Sequence, residues 1–228
     1  MSESVTLRNV DLDCRGSVEM VNATSVSYLA NSITNAAVST TAAIARTKLA
    51  QDALQVFGIP LGDWRIWDSA SRAVLPNTSA TDDLGLIVGA FSSASHVIRT
   101  YDVKTVGATA LYARTQFILP PEYDGGESIS FRAYAQMVTT VADTSCTIDM
   151  QAYKHDKEAG ISADLVTTTA TSMNTLTGAN YDFVITPTGL AAGDTLDLRI
   201  HIAPNDGAGG TAVIAEIGFT GMLLDIKG

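Results

Sequence analysis

Basic residues, aromatic rings, cysteines and long apolar runs are all scarce in this chain, and each scarcity removes a class of function. Lys and Arg number 14 against 24 Asp and Glu, for a formal net charge of -10 at pH 7. No Lys/Arg cluster interrupts that balance, so phosphate backbones are repelled and nucleic acid is not an expected partner. The two cysteines, Cys14 and Cys146, fall in segments that read as separate, which gives no support to a disulfide scaffold or a thiolate metal site. No stretch approaches the roughly 20 apolar residues of a bilayer span, and Met1-Ser2-Glu3 does not lead into a signal-peptide core. The expectation is a protein without a membrane segment, made and kept in a cytoplasm unless it leaves inside a larger particle.

What remains is sheet-forming material. Hydrophobic residues make up 46% of the 228, yet aromatics are 7% and charged residues 17%, with Ala, Thr, Ser and Gly filling the gap. A domain of this length buries roughly 70% of its unfolded surface, so an ordinary core is available. The cleanest pattern lies in residues 195–202, where Leu196, Leu198, Ile200 and Ile202 alternate with Asp197, Arg199 and His201. That period of two specifies a strand with one dry and one wet face. Upstream, Pro187 removes a backbone donor and Gly189 tolerates positive φ, so the strand through Phe183 and Ile185 must stop and the chain cross over.

Strand-like runs recur at regular spacing: 84–91, 96–103, 109–119, 128–138, 145–154, 163–170, 181–186, 195–203 and 211–226. Ile129, Phe131, Ala133, Ala135 and Met137 share one face of the fourth run, and Cys146, Ile148, Met150 and Ala152 one face of the fifth. Between runs lie turn chemistries such as 120–126, 155–160 and 204–210. Gly218 and Gly221 mark a bulge or a change of face in the last run. Eight or nine antiparallel strands without helical crossovers predict two packed sheets, an antiparallel β-sandwich of jelly-roll type.

The N-terminal part reads differently. Val5, Leu7, Val10 and Leu12 form an imperfect alternation, and residues 18–41 are small and polar with dispersed aliphatics, which reads either as a frayed terminus or as an arm that orders on a partner. Residues 41–57 predict one short helix, with Ala45, Leu49, Ala53 and Val56 on a stripe and Gly58 and Pro60 ending it. The division is therefore an arm and helix over 1–57 and a β-sandwich over 58–228. Trp64 and Trp67, three apart on an extended segment, point to opposite faces. A structural plug or an interface anchor is favoured over a paired sugar platform.

Catalytic and metal constellations are missing from the local sequence. His96, His155 and His201 have no His/Glu partner at ligand spacing, no G-x-S-x-G occurs, and the inward strand positions are aliphatic where a metal-binding jelly roll needs His and Glu. No cofactor, no metal and no enzymatic activity are expected.

Phe183, Ile185, Thr186, Pro187, Gly189, Leu190, Gly193, Asp194, Leu196 and Asp197, then the 204–210 hairpin and the ending Met222-Leu223-Leu224-Asp225-Ile226-Lys227-Gly228, form a C-terminal pattern. With the Pro120-Pro121-Glu122-Tyr123 strand entry, it resembles tailed-phage head decoration, or cement, proteins with a jelly-roll body and an N-terminal arm. The resemblance spans about 117–228. It implies a homotrimer seated on the outside of a phage capsid, bound to the major capsid protein and stabilising the shell, made in the host cytoplasm and located on the virion. Partner contacts are then expected from Val5, Leu7, Val10, Leu12, Leu49, Val56, Trp64 and Trp67. The alternative is a carbohydrate- or receptor-binding sandwich module of a phage fibre or spike, motivated by Trp64, Trp67, Tyr123, Tyr134 and Tyr153.

Overall fold

In a computed structural model, residues 54–79, 81–89, 92, 95–104, 107–155, 160–207 and 212–226 are described. The arm positions Val5, Leu7, Val10 and Leu12, and Leu49 of the expected helix, lie outside them. Ten strands follow in chain order: β1 (Gln55–Gly58), β2 (Gly85–Ile87), β3 (Val97–Arg99), β4 (Leu111–Ile118), β5 (Ile129–Met137), β6 (Ser145–His155), β7 (Thr171–Ser172), β8 (Ala179–Ile185), β9 (Thr195–Asn205) and β10 (Ala215–Leu224). They form two antiparallel sheets. One has the order β2-β3-β10-β5-β8, with β1 also on β10, and the other β4-β9-β6-β7. Within it, β3-β10-β5-β8 faces β4-β9-β6-β7, the eight-strand arrangement of a jelly roll. Among the described residues no helix is long and apolar enough to cross a membrane.

The period-2 patterns place the core. Ile129, Phe131, Ala133, Ala135 and Met137 of β5 and Phe183 and Ile185 of β8 are buried against Cys146, Ile148, Met150 and Ala152 of β6 and Leu196, Leu198, Ile200 and Ile202 of β9. In β10 the register shifts between Ile217 and Phe219, so Ile217 and Met222 both point inward across the bulge at Gly218. Gly189 and Gly193, with φ of 80° and 84°, carry the turn between β8 and β9, where the Leu190 amide donates to the Pro187 carbonyl at 3.0 Å.

Two expectations are corrected. The end of the proposed helix is β1: Gln55, Val56, Phe57 and Gly58 pair with Leu224, Leu223, Met222 and Gly221. β3 covers β10 only at Glu216 and Ile217, so the rest of that edge has free backbone groups, which β1 satisfies. Phe57 then packs edge-on against Phe117, with ring centroids 6.5 Å apart. The run at 163–170 is not a strand but a crossing. The Leu165 amide donates to Ala152 at 2.8 Å in one sheet, and Leu165 accepts from Thr186 at 2.7 Å beside the other, so the segment cannot form a ladder with either. Val166 makes a single bridge to Ile185.

Candidate functional site

The outer face of the β4-β9-β6-β7 sheet holds the polar halves of three alternating strands in register. Tyr112, His201 and Asp149 lie side by side across β4, β9 and β6; next come Arg114, Arg199 and Gln151, then Gln116, Asp197 and Tyr153. Beyond β4 the chain adds one more layer. Arg65 exchanges backbone hydrogen bonds with Arg114 at 2.8 and 3.0 Å, and Tyr112 donates to Asp82 at 2.7 Å. Because residues alternate along that extension, Trp64 turns inward and Trp67 outward.

Trp64 is fully buried. Its indole Nε1 donates to Thr220 Oγ1 at 3.1 Å, Thr220 donates on to the Ile59 carbonyl at 2.8 Å, and its ring meets Phe131 edge-on at 6.0 Å. It is a plug of the sandwich with no surface to offer. Tyr123 is likewise fully buried, its hydroxyl donating to the Glu127 carbonyl at 2.8 Å. Tyr134 is 41% exposed on the outer face of the other sheet, and Val56 is 54% exposed at the edge of that sheet. Trp67 and Tyr153 are the sequence-selected aromatics that the fold brings to one place.

That place is an open cleft of about 250 Å³. Trp67 enters from the β4 side and Tyr153 from β6, with Ile161 on the rim and Arg114, Asp197 and Arg199 along the floor. Trp67 is fixed twice: its Nε1 donates to Asp82 Oδ2 at 3.2 Å, and its ring lies 4.9 Å from that of Tyr112, tilted by 42°. The Arg199 guanidinium sits 4.9 Å from both ring centroids, a cation–π arrangement that supports the indole from below. Gln151 Oε1 accepts from Arg199 Nε at 2.8 Å and also from its terminal nitrogen.

Charge on the floor is unevenly compensated. Arg114 grips Asp197 with two hydrogen bonds, Nε to Oδ1 at 2.7 Å and a second from its terminal nitrogen to Oδ2. That carboxylate raises the Arg114 pKa further, against the opposing effect of burial. His155 Nε2 stands 3.2 Å from the same Asp197 Oδ2. Arg199 has no carboxylate within ion-pair distance among the described residues. Beside it, burial pushes the His201 imidazole down from its usual range; Asp149, with Oδ2 3.9 Å from His201 Nε2, opposes this and Arg199 adds to it. His201 Nδ1 is buried with no hydrogen-bond partner among the described residues.

Sequence patterning marks Trp67 and Tyr153 and the wet parity of β9, but finds no ligand-spaced partner for His201 on that parity. Arg114, Asp197 and Arg199 acquire their roles only from register, which puts residues 83 and more positions apart side by side. Among the described residues no group of three or more His, Cys, Asp or Glu side chains is placed to hold a metal ion.

No protein-family model matches the chain, and no curated protein does. Solved structures resemble it in fold at low identity. The xylan-binding module CBM15 is 12% identical with a TM-score of 0.43, over 77% of this chain and 99% of that one. The CBM22-1 xylan-binding domain from Paenibacillus barcinonensis Xyn10C is 11% identical with a TM-score of 0.40, over 78% of this chain and 96% of that one. The enzymatically active domain of Bacteriophage CBA120 tailspike protein 4 is 14% identical with a TM-score of 0.41, over 74% of this chain and 21% of that one. These are proteins the chain is similar to.

Proposed function

We propose that this protein binds carbohydrate in the cleft on the outer face of the β4-β9-β6-β7 sheet. The observation that carries the reading is the pairing of two aromatic walls, Trp67 and Tyr153, with a floor of fixed polar side chains, Arg114, Asp197 and Arg199. A sugar ring presents C–H faces that stack on aromatic rings and hydroxyls at its edge that need directed hydrogen-bond partners. Here the polar groups are already oriented by Gln151 and by each other, so little side-chain entropy remains to be lost on binding. The cleft volume, about 250 Å³, lies just below the roughly 300–1,000 Å³ usual for ligand sites and suits one ring of a longer chain. Binding without cleavage is part of the proposal: Asp197, the floor carboxylate, is engaged on both oxygens by Arg114 and stands as a fixed acceptor, not as a proton donor.

A glycan array with the intact chain and Trp67→Ala tests it. Reproducible glycan binding that Trp67→Ala reduces at least about tenfold, with the melting temperature kept, supports the site, since one aromatic stacking contact supplies roughly this much. Binding unchanged by Trp67→Ala, or no glycan bound at all, removes it.

Seating on a phage shell, the reading that the resemblance implies, is a second reading favoured by one observation. Val56 and Phe219, 54% and 37% exposed, leave apolar surface on the six-stranded sheet. Val56→Asp and Phe219→Asp together should then abolish shell binding or trimer mass in light scattering; a monomer that binds no shell ends this reading.

A further inference from the structure

We infer that the cleft selects sugars bearing a carboxylate, uronic or sialic acid units, through Arg199. The inference rests on the carbohydrate reading above and adds a ligand class to it. Of the described charged side chains that line the cleft, Arg114 and Arg199 are cations and Asp197 is the anion, so the described lining carries one net positive charge on a chain of net charge -10. Arg114 spends its charge on Asp197 through two hydrogen bonds. Among the described residues Arg199 does not: its acceptor is the neutral amide oxygen of Gln151.

The placement of Arg199 is costly unless something uses it. It sits directly across the strand pair from Arg114, and like charges facing one another in a ladder destabilise it. The Trp67 and Tyr112 rings offset part of that cost by cation–π attraction but supply no counter-charge. Gln151 takes the Nε edge, and the rings hold the guanidinium plane at 4.9 Å from each centroid, so the remaining N–H groups are held in fixed directions at the cleft floor. A sugar ring lying in the cleft between Trp67 and Tyr153 turns edge substituents toward that floor. A hydroxyl there takes one charge-to-neutral hydrogen bond, whereas a carboxylate takes ion-paired ones and also balances the one positive charge that Asp197 leaves uncompensated.

The experiment is calorimetric titration of the intact chain with oligosaccharides containing uronic or sialic acid, each beside its carboxyl-reduced counterpart, repeated with Arg199→Gln and Arg199→Lys. The expected result is that the carboxylated form binds at least about tenfold more tightly than the reduced form, and that this ratio falls as salt is raised. Arg199→Gln should bring the ratio to within about twofold, and Arg199→Lys, which keeps the charge but not the flat fork, should leave it in between. Melting temperatures near that of the parent chain show that both variants fold; if Arg199→Gln does not, Arg199→Lys and the salt series carry the decision. Equal affinity for carboxylated and reduced sugars overturns the inference and leaves the carbohydrate site standing. If neither form binds, and neutral glycans do not bind either, the carbohydrate reading falls with it.

Discussion

Asp197→Asn is the substitution whose consequence the geometry defines most sharply. Asn keeps the volume and one acceptor but removes the charge that Arg114 grips with two hydrogen bonds. The Asp197 side chain is 8% exposed and that of Arg114 32%, so one member of the pair is dry and the other partly wet. Without the carboxylate, Arg114 faces Arg199 across the ladder with no anion between them. Leaving a buried charge unpaired costs roughly 3–5 kcal/mol. Water at the exposed third of Arg114 offsets part of this, so the expected loss is about 2 kcal/mol. For a chain of this length that corresponds to a drop in melting temperature of about 4–8 °C. Urea unfolding followed by circular dichroism at pH 7 reads the free energy directly. The cycle with Arg114→Gln then isolates the pair: the double variant should be more stable than the sum of the single losses by at least about 1 kcal/mol, because removing the second charge relieves the first vacancy. A loss under about 0.5 kcal/mol for Asp197→Asn, or strict additivity in the cycle, would refute the view that this ion pair organises the cleft floor.

Trp64→Ala should cost about 3–5 kcal/mol in urea unfolding, while Trp64→Phe, losing the bond to Thr220 and some volume, should cost about 1–2 and leave glycan affinity unchanged. Burial holds the folded His201 imidazole below the ordinary value of 6.5, so its stability contribution is complete above about pH 6.5 and is lost as pH falls through the folded value. His201→Gln should flatten that acid-side slope in urea titrations between neutral and mildly acidic pH, and an unchanged slope would contradict the assignment.

How far the sequence specifies this molecule depends on the range over which its information acts. Alternation is local, so the inward rows of β5, β6 and β9 and the bulge at Gly218 follow from a reading of neighbours. The fate of residues 55–57 is not local. A helical stripe and a strand are both compatible with Gln55-Val56-Phe57, and the uncovered edge of β10 decides between them. The same applies to 163–170, where Leu165, Val166 and three threonines favour extended chain but the chain is crossing between sheets. Within the site, the opposite orientations of Trp64 and Trp67 follow from parity. The meeting of Trp67 with Tyr153 and Arg199 does not, because it requires knowing that β9 lies between β4 and β6. A wet face on one strand reads as solvent-exposed scaffold until two neighbouring wet faces and an edge segment are set beside it.

The two tryptophans of the chain give the most direct measurement of the central claim. One is the plug and the other the wall of the cleft, so their indole N–H resonances report on two separate places. During titration of ¹⁵N-labelled protein with a glycan that binds, the Trp67 indole signal should move to saturation with the calorimetric affinity, while that of Trp64 stays in place. Saturated binding with the Trp67 signal unmoved would put the sugar elsewhere and contradict the account.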